Sequence, residues 1–111
     1  MRSSSLRNIL FSCCFAVLLA SCGPSLSDIT TDLIDQGRND EAIARMKRAL
    51  ILTPDSPEYI KLMAIAYYNK KQYEDAAKLL QQVLKLDEED DQAAYYLAAT
   101  YEARQDFNKA I

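Results

Sequence analysis

Residues 57–90 read PEYIKLMAIAYYNKKQYEDAAKLLQQVLKLDEED. Their pattern of apolar and small residues recurs before and after this stretch at one fixed offset. The matching positions are Ile29, Met63 and Leu97; Leu33, Tyr67 and Tyr101; and Ala42, Ala76 and Ala110. This offset, about 34 residues, is typical of a helix-pair repeat, in which each pair buries its apolar face only against its neighbours. The pattern therefore predicts an all-α protein, an α-solenoid of antiparallel helix pairs with about two and a half repeats.

The repeats are predicted to span residues 26–56, 57–90 and 91–111, with the third incomplete. Helical spacing of apolar residues predicts helices at 26–36 and 40–53 in the first repeat, and at 59–68 and 73–86 in the second. Ser56 is the expected N-cap of the second repeat, because Pro57 suits the first helical turn. In the third repeat, a turn at Arg104 to Asp106 would precede a new helix that begins at Phe107.

The third repeat ends before its second helix is complete. Roughly 13 further residues would be needed to fill a repeat of this period. The last helices of a solenoid normally carry a polar outer face, which this incomplete repeat lacks. We therefore expect the sequence to be a fragment of a longer protein, with more repeats or another domain beyond Ile111. The open end also suggests self-association into a homo-oligomer.

The start of the chain, residues 1–21, has the features of a secretory signal peptide. Arg2 and Arg7 lie in a short polar start, and an uncharged stretch, ILFSCCFAVLLA, follows at residues 9–20. A membrane-spanning helix needs about 20 apolar residues, so a permanent span is the weaker interpretation of this shorter stretch. We expect residues 1–21 to be a signal peptide.

The end of that segment, Leu19, Ala20, Ser21 and Cys22, resembles the lipobox of bacterial lipoproteins. The resemblance implies cleavage before Cys22, diacylglycerol on its sulfur and usually an acylated amino group. Residues 22–25 would then form a lipidated tether, held stably because two or three acyl chains anchor far better than one. The alternative is an ordinary secretory signal that is cut within a residue or two of this site. Because Gly23 is not the Asp typical of inner-membrane retention, we expect the periplasmic face of the outer membrane.

The proposed processing changes the cysteine and charge counts. Cys13 and Cys14 leave with the signal peptide and Cys22 carries lipid, so no cysteine remains for a disulfide or a metal. Loss of Arg2 and Arg7 leaves 11 basic against 16 acidic residues, a net charge of −5. This acidic balance argues against nucleic-acid binding. The acidic run at residues 87–91 lacks the glycine of a calcium loop, so we interpret it as a solvated connection rather than a cation site.

The repeats resemble tetratricopeptide repeats, whose pattern is W-x2-L-G-x2-Y, then A-x3-F, then P. The second repeat matches at Ile60, Met63, Ala64, Tyr67, Ala76 and Leu80. The first matches at Leu26, Ile29, Thr30, Leu33, Ala42, Met46 and Pro54, and the third at Ala94, Leu97, Ala98, Tyr101 and Ala110. No repeat has the tryptophan, and Glu88 replaces the proline of the second repeat. The resemblance implies a superhelix with a concave inner wall.

In this family the inner wall is lined mainly by the first helix of each repeat. The resemblance therefore implies a partner-binding groove formed by Lys61, Ile65, Tyr68, Asn69, Gln92, Tyr95, Ala99 and Glu102. Tyr68 and Tyr95 could serve as interface anchors, or they could complete the packing between repeats. Family members that bind a terminal carboxylate need asparagines where this chain has Ile65 and Tyr96, so that binding mode is not expected.

These features predict a membrane-anchored scaffold or adaptor that binds another envelope protein or peptide, with no cofactor and no metal. The sequence has no histidine, no cysteine left after processing and only two glycines. Nucleophilic and phosphate-binding chemistry therefore lack their usual residues, and we expect no enzymatic activity within the repeats. The alternative is the N-terminal repeat region of a larger envelope enzyme or assembly factor, whose active domain would lie beyond Ile111.

Overall fold

A computed structural model describes residues 23–110, with side chains as far as Asp106. This part of the chain forms five helices: α1 (Leu26–Asp35), α2 (Asn39–Leu52), α3 (Pro57–Asn69), α4 (Tyr73–Leu86) and α5 (Asp91–Ala110). The predicted all-α fold is confirmed, and the four helices of the first two repeats begin and end within two residues of their predicted bounds. The signal peptide and Cys22 lie outside the described residues. No helix between residues 23 and 110 is long and apolar enough to span a bilayer.

Two serines begin the first helix of their repeats. The predicted cap is confirmed, because the Ser56 hydroxyl accepts the N–H of Tyr59 at 3.3 Å. Ser25 is a second cap, which was not predicted, and its hydroxyl accepts the N–H of Asp28 at 3.1 Å. The Asp28 carboxylate accepts the N–H of Ser25 at 3.0 Å, which completes a capping box. Both contacts satisfy N–H groups that have no partner within the helix.

The turns inside the first two repeats have the same geometry, although their residues differ. Gly37 and Lys71 occupy equivalent positions and both have positive φ, 77° and 64°. At each turn, two N–H groups bond back to carbonyls of the preceding helix, as from Gly37 to Ile34 at 2.9 Å and from Lys71 to Tyr68 at 2.9 Å. This is the Schellman arrangement, which usually has glycine at the left-handed position. Lys71 therefore adopts a conformation that lysine disfavours.

The predicted turn at Arg104 to Asp106 is wrong, because α5 continues through it to Ala110. Gln105 lies one repeat period after Lys71, so a turn would require Gln105 to adopt the left-handed conformation. At Lys71 that cost is offset by the packing of α4 onto α3. A continued helix avoids that cost and suits Ala103, Arg104 and Gln105, which all favour helical conformation.

Two apolar clusters form the core, and each joins one helix pair to the first helix of the next repeat. The first cluster connects α1, α2 and α3 and contains Leu33, Ala42, Ile43, Met46, Leu62, Met63 and Ala66. The second connects α3, α4 and α5 and contains Ile60, Ala64, Leu80, Val83 and Ala93. Leu50 and Leu79 pack against both clusters. The core is therefore continuous along the array.

The order of helix contacts shows an open array. Each helix packs against the next one in the chain, and α3 also contacts α1 and α5. Among the described helices, α1 and α5 do not contact each other, so the helices do not close around one shared centre. The predicted solenoid is confirmed over these residues. The first helices of the repeats, α1, α3 and α5, line one side of it.

An ion pair joins α3 to the start of α5. Lys61 Nζ donates to Asp90 Oδ2 at 2.8 Å, and the two side chains are only 19% and 10% exposed. Asp90 Oδ1 also accepts the N–H of Ala93 at 2.9 Å, so the same carboxylate caps α5. Burial acts to raise the pKa of Asp90, but hydrogen bonds from Lys61, Ala93 and Gln92 and the Lys61 charge outweigh it. The net effect is a pKa below the usual 3.8.

The two equivalent turns give a stability prediction. Lys71→Gly should raise the free energy of unfolding by about 1 kcal/mol, because glycine adopts positive φ without a steric cost. Gly37→Ala should lower it by about the same amount. A Cβ at Gly37 would meet no atom within 4 Å, so the cost is conformational rather than a clash. Urea unfolding followed by far-UV circular dichroism measures both changes, and equal stability of all three chains would contradict the prediction.

The Lys61–Asp90 pair gives a pH-dependent prediction. Asp90→Asn should lower the free energy of unfolding at neutral pH by about 1–3 kcal/mol, because it leaves the half-buried Lys61 ammonium without a counter-charge. Since folding lowers the pKa of Asp90, its contribution is complete above the unfolded pKa near 3.8 and is lost as the pH falls through the folded pKa.

Urea unfolding of both chains at pH 7 and at about pH 2.5 tests this sign, since the difference should shrink at the lower pH. Asp55→Asn is the matched control, because Asp55 is exposed in the loop before α3 and should change stability by less than about 0.5 kcal/mol. An Asp90→Asn effect of the same size at both pH values would contradict the prediction.

Candidate functional site

A groove of about 630 Å³ runs along the side of the array that α1, α3 and α5 form. Five residues of α1 line it, Ser27, Asp28, Thr31, Ile34 and Asp35. Five residues of α3 do the same, Glu58, Lys61, Leu62, Ile65 and Asn69. α5 adds Gln92 and Tyr96. The groove is therefore a property of the stacked first helices and not of any one repeat.

The repeat period explains why these helices present one continuous surface. Ser27, Thr31 and Asp35 of α1 each lie one period before a groove residue of α3, namely Lys61, Ile65 and Asn69. Within each helix the three positions follow one another at i, i+4 spacing, so they lie on one face. The opposite face is buried in the apolar clusters. Most groove positions lie outside the apolar clusters, so their chemistry can vary. Leu62 is an exception, because it lines the groove and also belongs to the first cluster.

The groove has an apolar floor between polar rims. Leu62 and Ile65 are buried, whereas Ile34 and Tyr96 are half-buried. Thr31, Asn69 and Gln92 are exposed and carry hydroxyl or amide groups that can hydrogen-bond to a peptide backbone. A surface that offers apolar contacts and hydrogen-bonding groups together suits a peptide segment better than a purely polar ligand.

The charged groups of the groove are mostly acidic. Asp28, Asp35 and Glu58 line it as carboxylates, and each of them is exposed. Hydrogen bonds from the side chain and the backbone N–H of Ser25 lower the pKa of Asp28, so this group is ionised at neutral pH. None of the three forms a salt bridge with a described lysine or arginine. Lys61 is the cation among the lining residues, and Asp90 already neutralises it.

Four of the predicted groove residues meet in this surface. Lys61, Ile65, Asn69 and Gln92 all line the groove. The structure places the other predicted residues outside that lining, namely Tyr68, Tyr95, Ala99 and Glu102. Their contact with a partner stays a prediction.

The two tyrosines differ in their surroundings. The Tyr68 ring is half-buried, 5.8 Å from the Tyr73 ring and 5.7 Å from the Tyr96 ring, in edge-to-face contacts that join α3, α4 and α5. Tyr95 is 69% exposed, and its ring lies 5.5 Å from that of Tyr96. Tyr68 therefore contributes to packing between repeats, whereas Tyr95 stands at the surface beside the groove. The ring that enters the lining is the one between them, Tyr96.

The α1 half of the groove was not predicted from the sequence. The signal was present in the repeat period, because shifting Lys61, Ile65 and Asn69 back by one period gives Ser27, Thr31 and Asp35. Leu62 and Tyr96 are also one period apart, and both lie one residue beyond a predicted position. The rotation of α3 and α5 about their axes in the packed array brings Leu62 and Tyr96 into the floor of the groove.

The described residues contain no group of three or more acidic, histidine or cysteine side chains that could hold a metal ion. In the acidic run, Asp90 is bound to Lys61 and to the N–H of Ala93, and Asp87 accepts the N–H of Glu89 at 3.2 Å. These contacts are structural. The groove is therefore the described surface with the clearest capacity to bind a ligand.

Comparison with known families gives the same result as the geometry. Two family models match the chain, and both are described as tetratricopeptide repeat, one over residues 33–85 and the other over residues 61–111. Together they cover residues 33–111, more than half of the sequence. No curated protein matches the chain. The chain is therefore similar to tetratricopeptide repeats over residues 33–111.

Proposed function

We propose that this protein is a lipid-anchored interaction module of the bacterial cell envelope, whose groove binds a segment of a partner protein. Tetratricopeptide repeats imply protein partners in general. The observation that carries the proposal is the groove along α1, α3 and α5, with its apolar floor and its exposed hydrogen-bonding rims. Its volume of about 630 Å³ lies in the range of about 300–1,000 Å³ that is usual for ligand sites.

The binding mode follows from the shape of this surface. The floor residues Leu62 and Ile65 accept aliphatic side chains, while Thr31, Asn69 and Gln92 can bond to the peptide units of the same segment. Binding of this kind needs no movement of the core, because the clusters behind the groove are already packed. The proposed role is binding and not catalysis.

The anchor is proposed from the sequence, through the match of Leu19, Ala20, Ser21 and Cys22 to a lipobox. The acyl chains on Cys22 would hold the array at the periplasmic face of the outer membrane. Since α1 begins at Leu26, the tether is short and would keep the first repeat close to the bilayer.

A surface of α2 supports this placement. Ile51 and Leu52 are 78% and 86% exposed. Leu52 lies beside Leu26, Arg45 and Arg48 in a shallow depression of about 300 Å³. Exposed apolar side chains next to arginines are typical of surfaces that rest on anionic lipid. This surface lies next to the start of α1, the end of the array to which the tether connects.

Site-specific photo-crosslinking in cells of the source organism tests the groove. A benzophenone amino acid at Thr31 or at Gln92 should crosslink to the same partner protein, because both positions are exposed in the groove and lie on different repeats. The matched control is Gln82, which is exposed on α4 and does not line the groove. A partner that crosslinks from Gln82 as well as from the groove, or from Gln82 alone, would contradict the proposal.

Mass spectrometry of the mature protein tests the anchor. The N-terminal peptide should begin at Cys22 and carry diacylglycerol and a fatty acyl group, and Cys22→Ser should abolish both the modification and membrane retention. A mature chain that begins elsewhere, or one with an unmodified Cys22, would contradict the anchor and leave the groove proposal intact.

A further inference from the structure

The charge of the groove indicates which class of protein segment fits it. We propose that the groove selects a cationic segment, rich in lysine or arginine and with apolar side chains between the charges. This inference rests on the proposed function, because it specifies the partner of the same surface. It also gives the partner the opposite charge from the carboxylate-terminated peptides that some family members bind.

Acidic groups outnumber basic ones in the lining of the groove. Asp28, Asp35 and Glu58 present three carboxylates to the groove, and none forms a salt bridge with a described cation. Lys61 does not offset them, since its ammonium lies 2.8 Å from Asp90 Oδ2. A ligand in the groove therefore meets a net negative potential.

Two helices of the groove end on the same side of it. Asp35 and Asn69 are the last residues of α1 and α3, and both line the groove. The carboxyl ends of two helices thus meet at one end of it. Each such end carries a partial negative charge, and Asp35 adds a full one at the same place. Helix ends and side chain together favour a cation there.

The apolar floor of the groove also affects the binding of a cation. Leu62, Ile65 and the half-buried Tyr96 exclude water from one side of any bound segment. Less water near the carboxylates strengthens their attraction for a cation. The Tyr96 ring also attracts lysine and arginine side chains through its π-electrons. A ligand that carries only charge makes no apolar contact with this floor, so a peptide with aliphatic residues fits better than a small polycation.

The occupant is a partner protein rather than a second copy of this chain. After the proposed processing the chain has a net charge of −5, the balance of 11 basic and 16 acidic residues, so its own surface is a poor complement to an acidic groove. A chain terminus that presents a carboxylate is equally disfavoured.

Fluorescence anisotropy with the purified full-length chain in detergent tests the proposal. The probe is a short fluorescein-labelled peptide with lysine at alternate positions and alanine or leucine between them. The reference peptide has glutamate in place of every lysine. We expect the lysine peptide to bind at least about tenfold more tightly at low salt, and its affinity to fall several-fold as salt screens the carboxylates.

Two double variants with the same change of charge distinguish the groove from general attraction to an acidic protein. Asp35→Asn with Glu58→Gln should weaken the lysine peptide about three- to tenfold, since both carboxylates line the groove. Glu88→Gln with Glu89→Gln, in the exposed loop before α5, should change it less than about twofold. Circular dichroism of all variants checks that they remain folded.

Several outcomes would overturn the inference. These are equal binding of the two peptides, binding of neither, an equal effect of the two double variants, and competition by spermidine as strong as by the unlabelled lysine peptide. Photo-crosslinking from Thr31 and Gln92 together with any of these results would leave the proposed function standing and remove the cationic partner alone. If the crosslinking fails but the lysine peptide binds selectively, the charge preference of the groove stands and partner binding in the cell is contradicted.

Discussion

α3 has to bury apolar side chains on two opposite sides at once, and the rest of the structure depends on this requirement. Leu62, Met63 and Ala66 face the first helix pair, whereas Ile60 and Ala64 face α4 and α5. Burying one large aliphatic side chain stabilises the fold by about 1.5–3 kcal/mol. An ion pair such as Lys61–Asp90 contributes far less once the loss of its hydration is counted. Because α3 must bury apolar side chains on both sides, it lies between the first helix pair and the helices α4 and α5.

Close approach of the helices depends on alanines at fixed positions. Ala42, Ala64 and Ala76 have no exposed surface, and they let neighbouring helices pack without intervening large side chains. Met46 and Leu80, which are equivalent residues of the first two repeats, fill the remaining space and are also fully buried. Because the same small and large positions recur, each helix pair meets the next in the same way. A regular array results, in which α1, α3 and α5 lie side by side.

The groove follows from this regularity. Each of the first helices presents one strip of its surface to the same side of the array, so residues one period apart line one groove. A contact that stabilises the fold also changes the charge of the groove. Lys61 is the lysine among the described lining residues, but Asp90 binds it while capping α5, and no described lysine or arginine pairs with the three lining carboxylates. The contact that joins the second and third repeats thus removes the charge of Lys61 from the balance of the groove, which its carboxylates already make negative.

The period, the helices of the first two repeats, the Ser56 cap and the small residues of the core could all be predicted from the sequence. These features depend on local spacing and on burial, which a repeating pattern reports directly. The remaining features depend on the packed array. It puts Tyr96 into the groove while Tyr95 stays exposed. It also pairs Lys61 with Asp90, which lies far from it in the chain. Periodicity shows which face of a helix is buried, but the rotation of a helix and the partner of a side chain depend on neighbours that only the packed array brings together.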